Sequence, residues 1–223
     1  MSSNRSVLYV EGKNDQMAIG SLLQLHGIDT DYQTRQFDIK PAKKDGDVTT
    51  ESIEVLLTSI PESVRRSAGK PVGFVLDADS EIKDRWKAVC SRLEKLGVVC
   101  PPEPQAGGFV SDVPDYKTRV GVWLMPNNTD TGMLENFLQD LIAEGDVLLP
   151  IAQKATDEVM AINLRFPEVH KPKAIIHAWL AWQAKPGLPF GSALTARFFR
   201  HEKASAQAFV TWFRNLFFGG RPG

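Results

Sequence analysis

The chain has 223 residues, of which 43% are hydrophobic and 24% are charged, as is typical of a soluble globular protein. A net charge of −1 gives no overall basic footprint for nucleic acid, although a local basic channel is compatible with a neutral total. Cys90 and Cys100 lack the spacing of a zinc site and are interpreted as reduced thiols. We expect a cytoplasmic protein without membrane contact, because the sequence shows no signal peptide and no apolar stretch of about 18 residues.

Strand and helix patterns alternate along the first two-thirds of the chain. Apolar runs predict strands at 7–10, 33–39, 72–76 and 119–126, with another extended piece from 98 and a loop or hairpin over 101–119. Helical spacing follows at 15–26, at 53–60 with Pro61 as its end, at 82–96 and at 134–141. After residue 150 the pattern is helical, at 151–164, 173–183 and 205–218.

This alternation predicts parallel βαβ units, because strands that are apolar throughout fit a sheet covered on both faces. We therefore expect an α/β fold with a mainly parallel sheet flanked by helices over residues 1–145. Residues 146–223 are expected to form a helical C-terminal region packed on that layer.

Acidic residues stand after three of the predicted strands, and they are Glu11, Asp15, Asp77, Asp79, Asp130 and Glu135. In an open parallel sheet, ligands bind beyond the carboxyl ends of the strands, so these side chains are expected at one edge. Four or more carboxylates without a cation would repel one another strongly. Hard oxygen ligands with no His or Cys nearby favour Mg²⁺ or Mn²⁺ over zinc, so the pattern predicts a divalent-metal site.

Each acid taken alone also has a simpler interpretation. Asp15, Asp79, Ser80 and Asp130 are favourable helix caps, and acids in a first helical turn interact well with the helix dipole. Glu11 ends a strand before a glycine and caps nothing obvious. The coincidence of acids at three strand ends favours the metal site over capping.

Three segments resemble the Toprim domain. The segments "VEGKND" (10–15) and "FVLDAD" (74–79) are similar to its two motifs, a strand ending in Glu-Gly and a later strand ending in Asp-x-Asp. The segment "LMPNNTDTGMLENFL" (124–138) is similar to the later acidic segment of OLD-type nucleases and of an uncharacterised stand-alone Toprim-like family. The resemblance covers about the first 145 residues and implies a Toprim-like, Rossmann-like sheet.

The resemblance further implies metal-dependent phosphodiester cleavage of DNA or RNA. By that similarity Asp77 and Asp79 are Mg²⁺ or Mn²⁺ ligands, and Glu11 is a ligand or a general acid/base. Asp15 and Glu135 would complete a second metal position. Two such ions about 4 Å apart activate a water and stabilise the leaving oxygen.

Lysines would supplement the acids. OLD-type enzymes contribute a lysine near the C-terminus, and Lys173, or else Lys171, would take that role here, although a solvated surface lysine is the commoner case. Lys13, Lys43 and Lys44 could grip phosphates at the same edge. A run such as Lys43-Lys44 is equally compatible with a solvated loop.

Other members of the fold class fit less well. Tyr9, Tyr32 and Tyr116 are in no setting that suggests a topoisomerase nucleophile, and the zinc cysteines of primases are absent. The sequence has no GxxxxGK[ST] loop, so an ATPase partner would be a separate subunit. Haloacid-dehalogenase phosphatases and nucleotide-sugar glycosyltransferases also place Asp-x-Asp after a strand, but both leave Glu11 without a role.

A non-enzymatic alternative remains. The chain could be a catalytically weak or inactive Toprim-like scaffold that binds nucleic acid or a partner ATPase, which its near-neutral charge favours. Arg197, Arg200 and His201 beside Phe198 and Phe199 could bind a single strand by stacking. The other interpretation of that segment is a core helix with polar flanks.

Overall fold

A computed structural model of the chain describes residues 5–31, 33–42, 53–67, 69–163 and 165–219. Within these residues one sheet contains β1 (Ser6–Val10), β2 (Phe37–Pro41), β3 (Val72–Asp77), β4 (Phe109–Val113) and β5 (Thr118–Met125). The spatial order is β2-β1-β3-β5-β4, and every neighbouring pair is parallel except β4 with β5. The predicted α/β fold with a mainly parallel sheet is confirmed.

Helices cover both faces of the sheet. They are α1 (Lys13–Leu25), α2 (Ile53–Arg66), α3 (Ile82–Leu93), α4 (Leu134–Asp140), α5 (Leu148–Ile162), α6 (Lys171–Ala181), α7 (Phe190–Thr195) and α8 (Ala204–Phe218). The core on one face joins α1, α4 and α6–α8 to the sheet, and the core on the other face joins α2 and α3 to it. In the described part of the chain, no helix combines the length and the apolar character that crossing a membrane requires.

The connections create a switch point between β1 and β3. From β1 the chain passes through α1 to β2 on one side, and it then crosses through α2 to β3 on the other side of β1. The two crossover helices lie on opposite faces, so the carboxyl ends of β1 and β3 border an open crevice. Ligands of doubly wound sheets bind at such a crevice.

The C-terminal helix α8 packs directly on the sheet. Gly73 of β3 and Gly121 of β5 are partners in register, and both face Leu216 of α8. A Cβ atom at Gly121 would lie 2.5 Å from a Leu216 methyl carbon, and one at Gly73 would lie 2.9 Å from it. Because these two glycines have no Cβ atom, α8 can approach the sheet closely. The division of the chain at residues 145–146 stays a prediction.

Two predicted element ends were wrong. Pro61 does not end α2, which continues to Arg66. Ile60 and Val64 are fully buried on the same helix face, and their burial outweighs the hydrogen bond that a proline cannot donate. The second strand begins at Phe37, four residues later than predicted.

Two further predictions about elements also need correction. The extended piece at 98–99 is not a strand, because Val98 N–H closes the end of the α3 region by donating to Leu93 O, and Val99 is 88% exposed. The hairpin considered for 101–119 exists and supplies β4. Helix α7, which packs on α1, was not predicted.

Candidate active site

Glu11 and Asp77 face each other across the switch-point crevice. Immediately beyond β1, Glu11 Oε1 accepts the backbone N–H of Asp77, the last residue of β3, at 2.7 Å. Asp77 Oδ1 in turn accepts the backbone N–H of Leu134, the first residue of α4, at 3.0 Å. These bonds connect the ends of two neighbouring strands to the start of a helix.

Asp15 approaches the same place from the first turn of α1. Its Oδ2 accepts the N–H of Gly12 at 3.2 Å, so the capping interpretation is correct for this residue. Glu135, in the first turn of α4, is 5% exposed. Lys173 Nζ of α6 lies 3.9 Å from Glu135 Oε1, which brings the predicted lysine to the acidic group.

Asp79 lies two residues beyond β3 in an unusual conformation. Its φ of +53° is left-handed, and two backbone hydrogen bonds of 2.8 and 2.7 Å with Gly132 hold it there. Its carboxylate forms a close ion pair with Arg85 of α3. Arg85 Nε also donates to the carbonyl oxygen of Asp77 at 2.9 Å. Because α3 begins only at Ile82, Asp79 does not cap it.

Burial and like charges raise the pKa values around the crevice. Burial raises the pKa of Glu11 to about 7, and the charges of Asp15 and Asp79 add to this, while the Asp77 N–H and Arg85 oppose it. The pKa of Asp77 also lies well above its ordinary value. The causes, largest first, are burial and the charges of Glu11, Asp15, Glu135 and Asp79.

Asp15 shows the same effect. Burial raises the pKa of Asp15 to about 6, Glu135 raises it further, and Lys173 and the Gly12 N–H lower it. One helical turn after Lys173, His177 stacks on the ring of Phe190 with centroids 5.2 Å apart. Burial lowers the pKa of His177.

The donor set matches a hard divalent cation in kind, because it offers carboxylate oxygens without Cys. In arrangement it is not preformed: among the residues that the structure describes, no three His, Cys, Asp or Glu side chains are grouped so as to hold a metal ion. The reason lies in the contacts, since Glu11 and Asp77 each accept a backbone N–H and Asp79 is paired with Arg85. The metal and its ligands stay a prediction.

Two predicted residues lie apart from this group. Asp130 is exposed, and its Oδ2 accepts Asn127 Nδ2 at 2.7 Å within its own turn. Lys171 pairs with Asp157 of α5 at 2.5 Å, so of the two lysines considered only Lys173 contacts an acid of the crevice.

The predicted phosphate-binding lysines are only partly described. Lys13 stands exposed at the start of α1 and donates to Gln16 Oε1 at 2.9 Å. Lys43 and Lys44 lie outside the described residues, so their role stays a prediction.

The two aromatic residues after α7 differ in exposure. Phe199 is 1% exposed and packs against Trp179 with ring centroids 5.3 Å apart, and Phe198 packs against the same core. The ring of Phe199 is therefore not accessible to a base, while Phe198 is partly exposed, and single-strand binding by this segment stays a prediction. The segment is an irregular turn and not the helix that was the other interpretation.

Arg85 is the functional candidate that sequence reasoning missed. It is one of four basic residues on α3, with Lys83, Lys87 and Arg92, and its spacing from Asp79 follows no rule that would single it out. Only the left-handed turn at Asp79 brings the two side chains together.

The family of the chain follows from a comparison with family models. A model described as a protein of unknown function (DUF3226) matches residues 5–218. The chain belongs to this family. A search of curated proteins found no match. Among solved structures, the C-terminal region of the Xanthomonas campestris pv. campestris OLD protein is similar, at 14% sequence identity over 96% of each chain and a TM-score of 0.42.

Proposed function

We propose that this protein is a divalent-metal-dependent nuclease that cleaves phosphodiester bonds in DNA or RNA. The observation that carries the proposal is the convergence of Glu11, Asp77 and Asp79 at the switch-point crevice, beside Asp15 and Glu135. The charges of neighbouring acids add to the raised pKa values of Glu11, Asp15 and Asp77, and a bound cation would remove that repulsion. An acidic crevice at the carboxyl ends of parallel strands is suited to binding cations and the phosphates that such cations hold.

The ligands of one Mg²⁺ or Mn²⁺ ion would be Glu11, Asp77 and Asp79, and those of a second ion Asp15 and Glu135. Such ions supply an activated water and stabilise the leaving oxygen of a phosphodiester. No Ser, Cys or His nucleophile is then required, which agrees with the composition of the crevice.

Among the residues that the structure describes, Lys173 is the one best placed to hold a substrate phosphate. It lies on the side of the crevice formed by α6, its side chain is 49% exposed, and it reaches Glu135 at 3.9 Å. A half-exposed ammonium can balance phosphate charge without first leaving a buried ion pair. Lys13, at the start of α1, would contact the phosphate backbone farther along the nucleic-acid strand.

Cleavage assays test the proposal directly. Purified protein is incubated with plasmid, single-stranded DNA and RNA in Mg²⁺, Mn²⁺ or EDTA, beside Glu11→Gln and Asp77→Asn. We expect cutting that requires the metal and is lost in both variants. Asp130→Asn is the matched control, because it removes an acid that lies outside the group. Cutting that persists in Glu11→Gln and Asp77→Asn would contradict the proposed site.

A second function is a scaffold that binds nucleic acid, or a separate ATPase subunit, without cleaving. One observation favours it: Glu11, Asp77 and Asp79 are all engaged by donors of the protein itself. This function predicts nucleic-acid retention in a mobility-shift assay with EDTA, with no product in any metal. Retention that needs the metal and is accompanied by product would exclude it.

A further inference from the structure

We infer that Arg85 is a built-in counter-cation that competes with a divalent ion for the carboxylate of Asp79. The inference rests on the proposed metal site and assigns a control of its loading. Arg85 would hold the crevice together when no ion is bound, and it would set how tightly an ion binds.

The contacts of Arg85 are those of a positioned group and not of a surface arginine. Its side chain is 14% exposed, whereas the Asp79 carboxylate that it holds is 36% exposed. The guanidinium bonds the side chain of Asp79 and the carbonyl oxygen of Asp77 at the same time. Its planar fork therefore joins the carboxylate of Asp79 to the backbone of Asp77, a geometry that lysine cannot reproduce.

The turn that carries Asp79 makes this arrangement specific. Asp79 has a positive φ and is bound on both sides of its peptide unit to Gly132. The backbone thus fixes the position from which the Asp79 side chain extends, and α3 fixes the position from which the Arg85 side chain extends. A side chain held in this way can change partner by a rotation, without movement of the sheet.

Electrostatics sets the direction of the effect. Arg85 also donates to the carbonyl oxygen of Asp77, whose backbone N–H is held by Glu11, so its charge lies close to all three proposed ligands and not only to Asp79. One positive charge in this place offsets part of the repulsion among the acids, and it repels an incoming cation for the same reason. Removal of that charge should therefore tighten metal binding while the metal-free fold becomes less stable.

Mn²⁺ binding to Arg85→Gln, measured by isothermal titration, tests this without any activity assay. We expect binding at least about fivefold tighter than in wild type, a lower Tm without metal and a larger rise of Tm on Mn²⁺ addition. Arg85→Lys, which keeps the charge but not the planar fork, should bind Mn²⁺ with an affinity between those of wild type and Arg85→Gln. Arg92→Gln removes the same charge from the same helix away from the crevice and should change nothing.

Three outcomes overturn the inference. Equal or weaker Mn²⁺ binding by a folded Arg85→Gln would show that Arg85 does not compete. An equal gain in Arg92→Gln would reduce the effect to net charge. The absence of Mn²⁺ binding in wild type and in all variants would instead remove the proposed metal site itself, and the inference with it.

An NMR titration of wild type covers the case in which Arg85→Gln does not fold. The Arg85 Nε–H signal, assigned by its loss in Arg85→Lys, should shift as Mg²⁺ is added because the guanidinium leaves Asp79. A signal that stays in place while the signals of Glu11 and Asp77 move would overturn the competition.

Discussion

The two strands that flank β1 each carry an acid that is largely enclosed by protein, and the surroundings of these acids are opposite. Asp38 of β2 is 4% exposed and is surrounded by cations: Arg35 at 2.9 Å, Arg5 at 3.4 Å and Lys40 at 3.5 Å. Asp77 of β3 is surrounded by acids that raise its pKa. Both acids lie in the same sheet, each on a strand that pairs with β1.

The difference separates an acid that maintains the fold from one that is available for function. A buried carboxylate with three cations is compensated within the chain, and its removal leaves those cations unpaired. A carboxylate among other carboxylates costs folding free energy at neutral pH, because each charge repels the others. A chain keeps such a cost where an external cation can offset it, which is the argument for a metal at Asp77 and not at Asp38.

The largest expected effect is a difference of sign between two conservative substitutions. Asp38→Asn should lower the free energy of unfolding by about 2–3 kcal/mol, since its cations are partly exposed and the loss falls below that of a fully buried pair. Asp77→Asn keeps the acceptor for the Leu134 N–H and removes a repelled charge, so it should raise Tm at pH 8 without metal. Thermal unfolding followed by circular dichroism measures both.

The comparison of Asp38 with Asp77 fails if the two substitutions shift Tm in the same direction. Addition of Mg²⁺ supplies a further check, because it should stabilise wild type and Asp38→Asn but not Asp77→Asn.

A smaller effect is expected from pH. The pKa of Glu11 is raised to about 7 and that of Asp15 to about 6, so the folded protein binds more protons than the unfolded chain between about pH 4.5 and pH 7. The stability that these groups contribute is complete below that window and is lost as pH rises through it. Without metal, the contribution of these groups should therefore lower Tm as pH rises from about 5 to about 7.5.

The matched variant for this pH effect is Glu11→Gln, which should show a shallower fall and be the more stable protein at pH 8. A gain on the order of 2 kcal/mol, or about 4–8 °C, is expected there. His177 and His201 act in the opposite sense, because burial lowers their pKa values from 6.5 and they add stability as pH rises. Their contribution cancels in the difference between wild type and Glu11→Gln. If Tm changes with pH by the same amount in both proteins, the raised pKa of Glu11 is contradicted.

The contrast between Asp38 and Asp77 also shows what could be predicted from the sequence. Glu11 and Asp77 follow short apolar runs that alternate with helical patterns and so predict buried parallel strands, and parallel topology brings their backbones to one edge. Lys40 lies in β2 itself and Arg35 just before it, whereas Arg5 stands before β1, 33 residues from Asp38. Such pairing depends on register, which the hydrophobic pattern of a short strand leaves open.

Arg85 and α7 were beyond prediction for a related reason. The position of Arg85 depends on a single left-handed residue at Asp79. Aspartate is enriched among non-glycine residues with positive φ, but the sequence does not show which aspartate takes that conformation. Helix α7 has six residues, fewer than two turns, and a short apolar segment of this kind is equally compatible with a loop. Pro61 shows the converse. A proline is a strong local signal for the end of a helix, but burial of the residues around it lets α2 continue.

The smallest expected change in stability concerns the lysine side of the crevice. Lys173 is half exposed and its nitrogen lies 3.9 Å from Glu135, so Lys173→Met should alter the free energy of unfolding by less than about 0.5 kcal/mol. If Lys173 holds the phosphate, the cutting rate should nevertheless fall on the order of 100-fold. Lys171→Met is the control two residues away, since Lys171 pairs with Asp157 and should leave the rate unchanged. Equal losses of rate in both variants would indicate a general loss of positive charge on α6, and the two acids at Asp15 and Glu135 would then act without a lysine partner.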